Sequence, residues 1–428
     1  MQRTRTEILP GVWLTALHTD KFKTGCLSIT LLTQLTRERA AMNAVLPFVL
    51  RRGSTRLPDL ETVAGELDSL YGATITPVVR KLGEIQCVGF YSTFADDRAA
   101  GAPILPRLAE DVSGMLLAPN TRGGLLRQDY VRSEKEKLLD KIRGCINDKR
   151  SYATQRLTEL MCCYEDYCVP RLGDEDMAES IHYQKLTRHY HELLAASPVE
   201  VFYCGSLPAA EVAQTLADAL AAMPRGEIDY DIGTDIRMNA VEEDVRFFTE
   251  EMAITQGKLA IGYRLGECME DPDLAALRVF NALFGGCVTS KLFLNVREKL
   301  SLCYYASSRL DLMKGLMLVS SGIEVENYDK ALAEINVQLD AVRAGDFTDG
   351  DLAAAKKCLA SDLRAIMDTP AALEGYWLQQ NLQGLDFDPM ELAALTEAVT
   401  REDVVEIANS VVCDSVYFLK GTEDDDGE

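Results

Sequence analysis

The sequence lacks an excess of positive charge, a long apolar run and any nucleotide-binding motif. Its 428 residues include 44 lysines and arginines against 67 aspartates and glutamates, which gives a net charge of -23. This balance argues against nucleic acid and against an anionic membrane surface as partners. No apolar stretch reaches the length needed to span a bilayer, and neither Gly-x-x-x-x-Gly-Lys-[Ser/Thr] nor Gly-x-Gly-x-x-Gly occurs. We therefore expect a cytoplasmic protein without a membrane, nucleic-acid or nucleotide partner.

Metal ligands are also scarce. The chain has four histidines: His18, His182, His189 and His191. The last three lie on one predicted helix. As zinc ligands these three lack a fourth partner, so we interpret them as part of a partly exposed helix surface. The 12 cysteines are scattered through apolar segments, and Cys162, Cys163 and Cys168 do not form a Cys-x-x-Cys pair. This pattern indicates reduced, buried thiols. A nucleophilic Cys162 activated by a histidine stays open, although nothing in the sequence places them together.

The order of the predicted elements repeats once along the chain. In the first half, a strand at 24–32 precedes a helix at 39–50, and a strand at 199–203 ends the half at a glycine. The second half has a strand at 258–263, a helix at 272–284 and a last strand at 415–419. Between the halves, prolines, glycines and acids interrupt the pattern. A repeat of this length predicts duplicated α+β domains at 1–222 and 246–428, joined by a linker at 223–245. The acidic residues at 423–428 are expected to form a solvated, frayed tail.

The most informative stretch runs from Gly285 to Leu310. It begins with a Gly-Gly pair, continues as a predicted helix at 290–299 and ends in an aromatic, β-favouring strand. Apolar residues recur at helical spacing and leave Arg297 outside the apolar face. Arg297 and Tyr304 are therefore placed to face a cleft.

These residues resemble a known family. Gly-Gly-x-x-x-Ser-Lys-Leu-Phe, followed by Arg297 seven residues before Tyr304, is similar to the C-terminal domain of the M16 (insulinase or mitochondrial processing peptidase-like) zinc peptidases. Leu-Tyr-Gly-Ala at 70–73, with the hairpin after it, and the strand that ends at Gly205 resemble the N-terminal domain of that family. The resemblance implies the LuxS/MPP-like metallohydrolase fold, in which each of two homologous halves has helices packed on an antiparallel-rich sheet. A narrower resemblance, carried by segments 148–153, 161–163 and 197–205, is to bacterial M16 proteins associated with 5-aminopentanol modification of elongation factor P.

The chemistry of the family requires His-x-x-Glu-His on one helix and a further glutamate on another, which together bind and use Zn²⁺. Counted back from Gly53-Ser54, the motif positions hold Ala44, Pro47 and Phe48, and the distant glutamate falls near Lys141. None of these side chains can bind zinc, so we expect no metal, no cofactor and no catalytic residue. Pro47 also removes one backbone hydrogen bond inside the helix. A mostly apolar helix is expected to fill the former metal space with core.

The resemblance thus implies a catalytically inactive M16 subunit. We expect it to pair with a zinc-bearing M16 paralogue in a peptide-processing heterodimer, with Arg297 and Tyr304 contacting the peptide substrate. Two alternatives stay open. One is a non-proteolytic scaffold similar to the core subunits of the respiratory bc1 complex. The other is a homodimer that captures extended peptides, for example by strand addition to a sheet edge. A metal-independent hydrolase is the least favoured possibility.

Overall fold

The computed structural model describes residues 1–269 and 273–422. The strands are β1 (Gln2–Leu9), β2 (Val12–His18), β3 (Thr24–Gln34), β4 (Thr74–Leu82), β5 (Ile85–Ala95), β6 (Thr121–Arg122), β7 (Leu125–Leu126), β8 (Val199–Gly205), β9 (Arg246–Met252), β10 (Gly257–Arg264), β11 (Cys303–Asp311), β12 (Leu316–Ile323) and β13 (Val412–Gly421). The α-helices are α1 (Arg37–Leu50), α2 (Leu60–Ser69), α3 (Asp97–Ala100), α4 (Leu105–Leu117), α5 (Gln128–Gly144), α6 (Lys149–Met161), α7 (Glu175–Glu179), α8 (Tyr183–Ala196), α9 (Ala209–Leu220), α10 (Leu274–Asn281), α11 (Tyr328–Arg343), α12 (Asp349–Ile366), α13 (Pro370–Gln383), α14 (Pro389–Ala398) and α15 (Arg401–Ser410). The predicted acidic tail and the predicted helix start at Pro272 lie outside the described residues.

The chain divides into two compact units, and each unit contains a segment from the other end of the sequence. The first unit comprises Met1–Arg143, Val169–Gly233 and Met367–Leu385, and the second comprises Gly144–Cys168, Thr234–Ile366 and the chain from Asp386. Helix α6 therefore belongs to the second unit and α13 to the first. The sequence predicted two continuous domains, 1–222 and 246–428. In the structure, 144–168 from the first predicted domain belongs to the second unit, and 367–385 from the second predicted domain belongs to the first unit.

The first unit is built on a six-stranded sheet in the order β1-β2-β8-β3-β5-β4. Neighbouring strands are antiparallel except for the parallel pair β2 and β8. A large apolar core joins the sheet to helices that include α1, α4 and α8. Helix α13 packs on β3 and β8. There the buried Glu374 binds Arg80 at 2.8 Å, and the Arg3 guanidinium lies 3.9 Å from the Trp377 ring centroid.

The second unit is built on a five-stranded sheet in the order β11-β12-β10-β13-β9. All neighbours are antiparallel except the parallel pair β13 and β9. Helix α6 packs on β10 and β13, where Ala153 and Leu157 join an apolar cluster with Ala260 and Tyr417. The α+β class predicted from the sequence is confirmed.

A buried ion cluster secures the segment that follows α6. The Arg264 guanidinium binds Glu165 at 2.7 Å and Asp414 at 3.0 Å, and the ammonium of Lys314 lies 2.7 Å from Glu165. All four side chains are at most 1% exposed. The carboxylates are stable there because each has a cationic partner, and these hydrogen bonds hold the pKa of Glu165 and of Asp414 below the ordinary values.

The charged segment at 128–161 forms two helices and not one continuous helix. Helix α5 ends at Gly144, a short 3₁₀ turn follows, and α6 begins at Lys149. The carboxylate of Asp148 accepts hydrogen bonds from the backbone N–H groups of Arg150 and Ser151 at 3.2 Å, which caps the new helix. The break carries the chain from the first unit into the second. None of the helices among the described residues combines the length and the apolar character needed to cross a membrane.

Candidate functional site

The positions that the resemblance assigns to the zinc motif lie on α1 and α5, and the structure brings two of them into contact. Ala44 and Phe48 are one turn apart on α1, which remains helical through the buried Pro47. The ammonium nitrogen of Lys141, on α5, lies 4.1 Å from the centroid of the Phe48 ring. This is a cation–π contact between the expected position of the second histidine and the expected position of the distant glutamate.

These residues do not fit a metal ion. A methyl group, a pyrrolidine ring and a phenyl ring offer no lone pair, and the charge of an ammonium group repels a cation. Among residues 1–269 and 273–422, no cluster of three or more histidine, cysteine, aspartate or glutamate side chains could hold a metal. The structure therefore gives no support for zinc chemistry at the motif positions.

A cavity of about 400 Å³ occupies the motif region. Ala44, Phe48 and Lys141 line it, so the space is not filled with core as the sequence suggested. The reason is that the first motif position holds only a methyl group and Phe48 stays half-buried beside Lys141. The wall also contains charges that the sequence did not single out: Arg80, Glu134, Lys137 and Arg171.

Most of these charges have defined partners. Glu134 is 6% exposed and accepts from Arg52 at 2.9 Å and from Lys137 at 2.8 Å. Arg80 binds Glu374, as described above, and the guanidinium of Arg171 donates to the backbone oxygen of Val79 at 2.9 Å. The cavity is therefore a fixed, mainly cationic site.

Strand β4 forms one wall of this cavity and is also the edge of the sheet. Its pairing with β5 uses alternate residues, so the remaining residues direct their N–H and C=O groups away from the sheet. The backbone oxygen of Ile75 accepts from Arg51 at 2.7 Å, and that of Val79 accepts from Arg171. Pro77, between them, has no N–H. At the centre of this edge, two outward carbonyl groups are thus already bound and one N–H group is missing. Such occupied or missing backbone groups commonly protect an edge strand against the addition of another strand.

A buried polar network lies behind α1. The imidazole Nε2 of His189 lies 2.6 Å from Oδ1 of Asn43, whose amide nitrogen donates to Oε1 of Gln86 at 2.8 Å. Gln86 in turn donates to the backbone oxygens of Ala40 and Arg171. Burial lowers the pKa of His189 to about 4, so the ring is neutral and donates from Nε2. The partly exposed position predicted for His189 is wrong, because this network and the surrounding core bury it.

The network explains how the segment at 170–172 is held beside the cavity. The hydrogen bond from Gln86 fixes the backbone of Arg171, whose side chain then reaches Val79. Sequence reasoning missed this arrangement, since Asn43 and His189 are 146 residues apart. The available signal was a polar asparagine in the middle of an otherwise apolar helix.

The stretch with Arg297 and Tyr304 lies in the second unit and has an unusual backbone. Both π-helical turns found in the described part of the chain fall here, at Ala282–Gly286 and Leu292–Lys299. Such wider turns are rare and often occur at functional sites. Gly285 is required because a Cβ atom there would lie 2.7 Å from the backbone nitrogen of Ser308 on β11.

Arg297 and Tyr304 are both accessible. The Arg297 guanidinium lies 4.6 Å from the Phe293 ring centroid, and its Nε atom lies 3.6 Å from the Glu298 carboxylate, with 40% of the side chain exposed. Tyr304 is 59% exposed and donates its hydroxyl to Glu324. That hydrogen bond raises the pKa of Tyr304, so the phenol stays protonated at neutral pH. Both side chains are available to a ligand, and their use as a substrate contact stays a prediction.

The structure does not support the nucleophilic Cys162 that the sequence left open. Burial raises the pKa of Cys162 to about 12, which leaves almost no thiolate at neutral pH. The His182 ring accepts from the backbone of Lys185 and caps α8. The expectation of reduced thiols is wrong for one pair, since Cys287 and Cys358 form a disulfide with their Cα atoms 6.8 Å apart. Their spacing of 71 residues gave no sequence signal.

Comparisons with known proteins identify a family for part of the chain and relatives for nearly all of it. The family described as "Peptidase M16 inactive domain" matches residues 180–359. A Bacillus subtilis (strain 168) protein named "Probable inactive metalloprotease YmfF" is 32% identical over 417 residues, which cover 96% of each chain. A conserved protein from Enterococcus faecalis V583 has a similar structure, with a TM-score of 0.88, 27% identity and coverage of 99% of this chain and 100% of that chain. A Pseudomonas fluorescens structure titled as a peptidase M16 inactive domain has a TM-score of 0.81 at 16% identity and 99% coverage of both chains.

Proposed function

This chain belongs to the M16 peptidase family as a non-catalytic member, and on that premise we propose that it is the substrate-side partner of a zinc-bearing M16 paralogue. The two chains together form a peptide-processing chamber. The paralogue supplies the metal and the base, and this chain supplies contacts that position the peptide. This division explains why one chain of a pair can lose every metal ligand while the pair keeps its activity.

One contrast carries the proposal. At the former metal positions, Ala44, Phe48 and Lys141 have lost every group that binds zinc. In the second unit, by contrast, the stretch with Arg297 and Tyr304 has a constrained backbone and presents both side chains to solvent. A chain that made no contact with a peptide would need neither this constrained backbone nor the two exposed side chains.

Arg297 and Tyr304 have distinct proposed roles. The guanidinium of Arg297 binds a carbonyl or the C-terminal carboxylate of the peptide through charge-assisted hydrogen bonds. The protonated hydroxyl of Tyr304 exchanges its hydrogen bond with Glu324 for one to the scissile carbonyl held by the other chain. Both roles rest on the resemblance to the family and on the exposure of the two side chains.

The test is peptide hydrolysis by this chain, by its zinc-bearing paralogue and by an equimolar mixture, with zinc content measured for each sample. We expect activity and zinc only where the paralogue is present, and faster turnover when this chain is added. Arg297→Ala should remove the increase, because the peptide loses its charged contact. Lys299→Ala, on the same π-helical turn, is the matched control and should keep it.

Two results would overturn the proposal. Hydrolysis or bound zinc in this chain alone would mean that a metal site exists elsewhere. An unchanged increase with Arg297→Ala, in a variant that still binds the paralogue, would remove the substrate-side role.

The alternative is a scaffolding or peptide-binding homodimer without hydrolysis. Capture of peptides by strand addition is disfavoured at β4, because two of its outward carbonyls already bind arginines and Pro77 has no N–H. Light scattering of the isolated chain and calorimetric titration with extended peptides separate this case from an obligate heterodimer. Cytoplasmic location and a link to elongation factor P modification stay predictions.

A further inference from the structure

We propose that the cavity at the former metal position binds a carboxylate group of a peptide. The site is defined by Phe48 on α1, Arg80 on β4, Lys137 and Lys141 on α5, and Arg171. This inference rests on the proposed peptide-handling function and names the ligand chemistry of a second contact site. The proposed ligand is an anion, whereas the family binds a cation, Zn²⁺, at this place.

The charge of the wall carries the argument. Among the described residues, four cationic side chains and a single carboxylate, Glu134, line the cavity. Glu134 binds Lys137 and also Arg52, which lies outside the wall, and Glu374 binds Arg80. Five cations and two carboxylates in and directly behind the wall leave an excess of positive charge at the cavity.

This local excess of positive charge makes the electrostatic potential in the cavity positive, although the whole chain has a net charge of -23. Charges beyond about 8 Å are largely screened at physiological ionic strength, so the acidic surface acts weakly inside the cavity. A metal ion or an amine would be repelled there. An anion would gain charge-assisted hydrogen bonds from side chains that are already held in place.

The backbone around the cavity favours a carboxylate over a phosphate. Phosphate sites commonly use N–H groups at helix N-termini or in glycine-rich loops. Here the lining residues of α1 and α5 lie well beyond the first turns of their helices, at 44–48 within Arg37–Leu50 and at 134–141 within Gln128–Gly144. The donors that these two helices supply are therefore side chains alone, which suits a singly charged group.

The apolar part of the wall and the size of the cavity favour a peptide end or an acidic side chain with an apolar neighbour. Ala44, Phe48 and Leu138 provide apolar surface beside the cations. A volume of about 400 Å³ lies in the range of small-molecule sites and is too small for a folded partner. Because the edge of β4 is capped, the peptide enters by its carboxylate and does not add as a strand.

The experiment is calorimetric titration of the full chain, without a paralogue, with four tetrapeptides. Ac-Leu-Ala-Leu-Ala is used with a free C-terminus and as its amide, and Ac-Leu-Glu-Leu-Ala amide is compared with its Gln analogue. The two comparisons distinguish a C-terminal carboxylate from an acidic side chain. We expect at least one acid to bind more tightly than its neutral analogue by about tenfold or more, and to weaken as salt is raised.

The variants Lys141→Met and Lys137→Met locate the site. Each should weaken binding of the acid about tenfold or more while leaving the neutral analogue unchanged. Lys135→Met, on the same helix but outside the cavity, is the matched control and should bind as the parent does. Thermal unfolding of each variant verifies that it is folded. If Lys141→Met fails to fold, Lys137→Met still decides the question.

Three outcomes would overturn the proposal. These are equal binding of acid and neutral peptides, unchanged binding in both cavity variants, and displacement of the peptide by inorganic phosphate at lower concentration than by acetate. Failure here is distinguishable from failure of the proposed function. The titration uses this chain alone and is repeated in an Arg297→Ala background, so that the carboxylate contact proposed for Arg297 does not contribute and the cavity variants decide the result. The hydrolysis assay instead depends on the paralogue and on Arg297.

Discussion

Lys141 lies against Phe48, with its ammonium nitrogen 4.1 Å from the centroid of the phenyl ring. The two residues are 93 positions apart on different helices, and the sequence predicts that both correspond to metal-ligand positions of the family. Their contact shows that α1 and α5 approach each other at these two positions. What has changed is the chemistry of the side chains.

Metal binding should therefore be recoverable by substitution. In the triple variant Ala44→His, Phe48→His and Lys141→Glu, two imidazoles share one helix face and a carboxylate faces them across the cavity. We expect one zinc per chain with a dissociation constant on the order of micromolar or tighter, measured by equilibrium dialysis and metal analysis. The variant without Phe48→His is the control and should bind zinc far more weakly. A triple variant that takes up no zinc would show that these positions are not the motif positions.

The repeated elements were predictable because local patterns specify them. The glycine-bounded strand Val199–Gly205 and the helix that begins near Arg37 follow from burial and helical spacing within a few residues. The α+β class followed from their order. The sheet on which each helix packs could not be predicted in the same way. The pattern of α6 predicts an apolar face, but it does not indicate which of the two sheets covers that face.

The cavity could be predicted only in part. Loss of the zinc ligands at Ala44 and Phe48 was visible from side-chain chemistry alone. The cations opposite them were not, since Arg80 and Arg171 reach the site from other segments and their direction depends on Glu374 and Val79. Long-range pairing of this kind has no local signal.

The buried histidine should make stability depend on pH. The pKa of His189 is about 4 in the folded chain against an ordinary 6.5, so the unfolded chain binds a proton more readily. The free energy of unfolding is therefore highest above pH 6.5 and should fall as the pH drops towards 4, by at most about 3 kcal/mol. Urea unfolding between pH 4 and pH 7 measures this loss. His189→Gln should flatten the profile, while His191→Gln, at an exposed position of the same helix, should not. An equal slope in both variants would exclude His189 as the cause.

The ion cluster around Glu165 should be essential for the stability of the second unit. Glu165→Ala leaves Arg264 and Lys314 buried without that carboxylate, which should cost about 3–5 kcal/mol in the free energy of unfolding. Glu175→Ala removes an exposed pair with Arg143 and should change the free energy of unfolding little. Chemical denaturation of both variants provides the comparison. A loss below about 1 kcal/mol for Glu165→Ala would contradict the arrangement of the cluster.

The disulfide between Cys287 and Cys358 should stabilise the chain under oxidising conditions. Closing a loop across 71 residues restricts the unfolded chain and can contribute about 4 kcal/mol as an upper limit. We expect dithiothreitol to lower the unfolding temperature of the parent. The double variant Cys287→Ala and Cys358→Ala should unfold at the lower temperature with or without dithiothreitol. Thiol titration of the unfolded, unreduced parent should detect ten free cysteines, and detection of all 12 would refute the bond.

The arginines that cap β4 should prevent the sheet from pairing with another strand. In the double variant Arg51→Ala and Arg171→Ala, the backbone oxygens of Ile75 and Val79 lose their donors and become available at an open edge. We expect self-association through this edge, detected by sedimentation velocity as a concentration-dependent shift that the parent does not show. Arg188→Ala, which removes an arginine with a 73% exposed side chain on α8, is the control and should leave the sedimentation profile unchanged. Restoring a single cap should reverse part of the shift, since each arginine occupies a different carbonyl. A double variant that sediments as the parent does would mean that Pro77 and the twist of the strand protect the edge without the arginines.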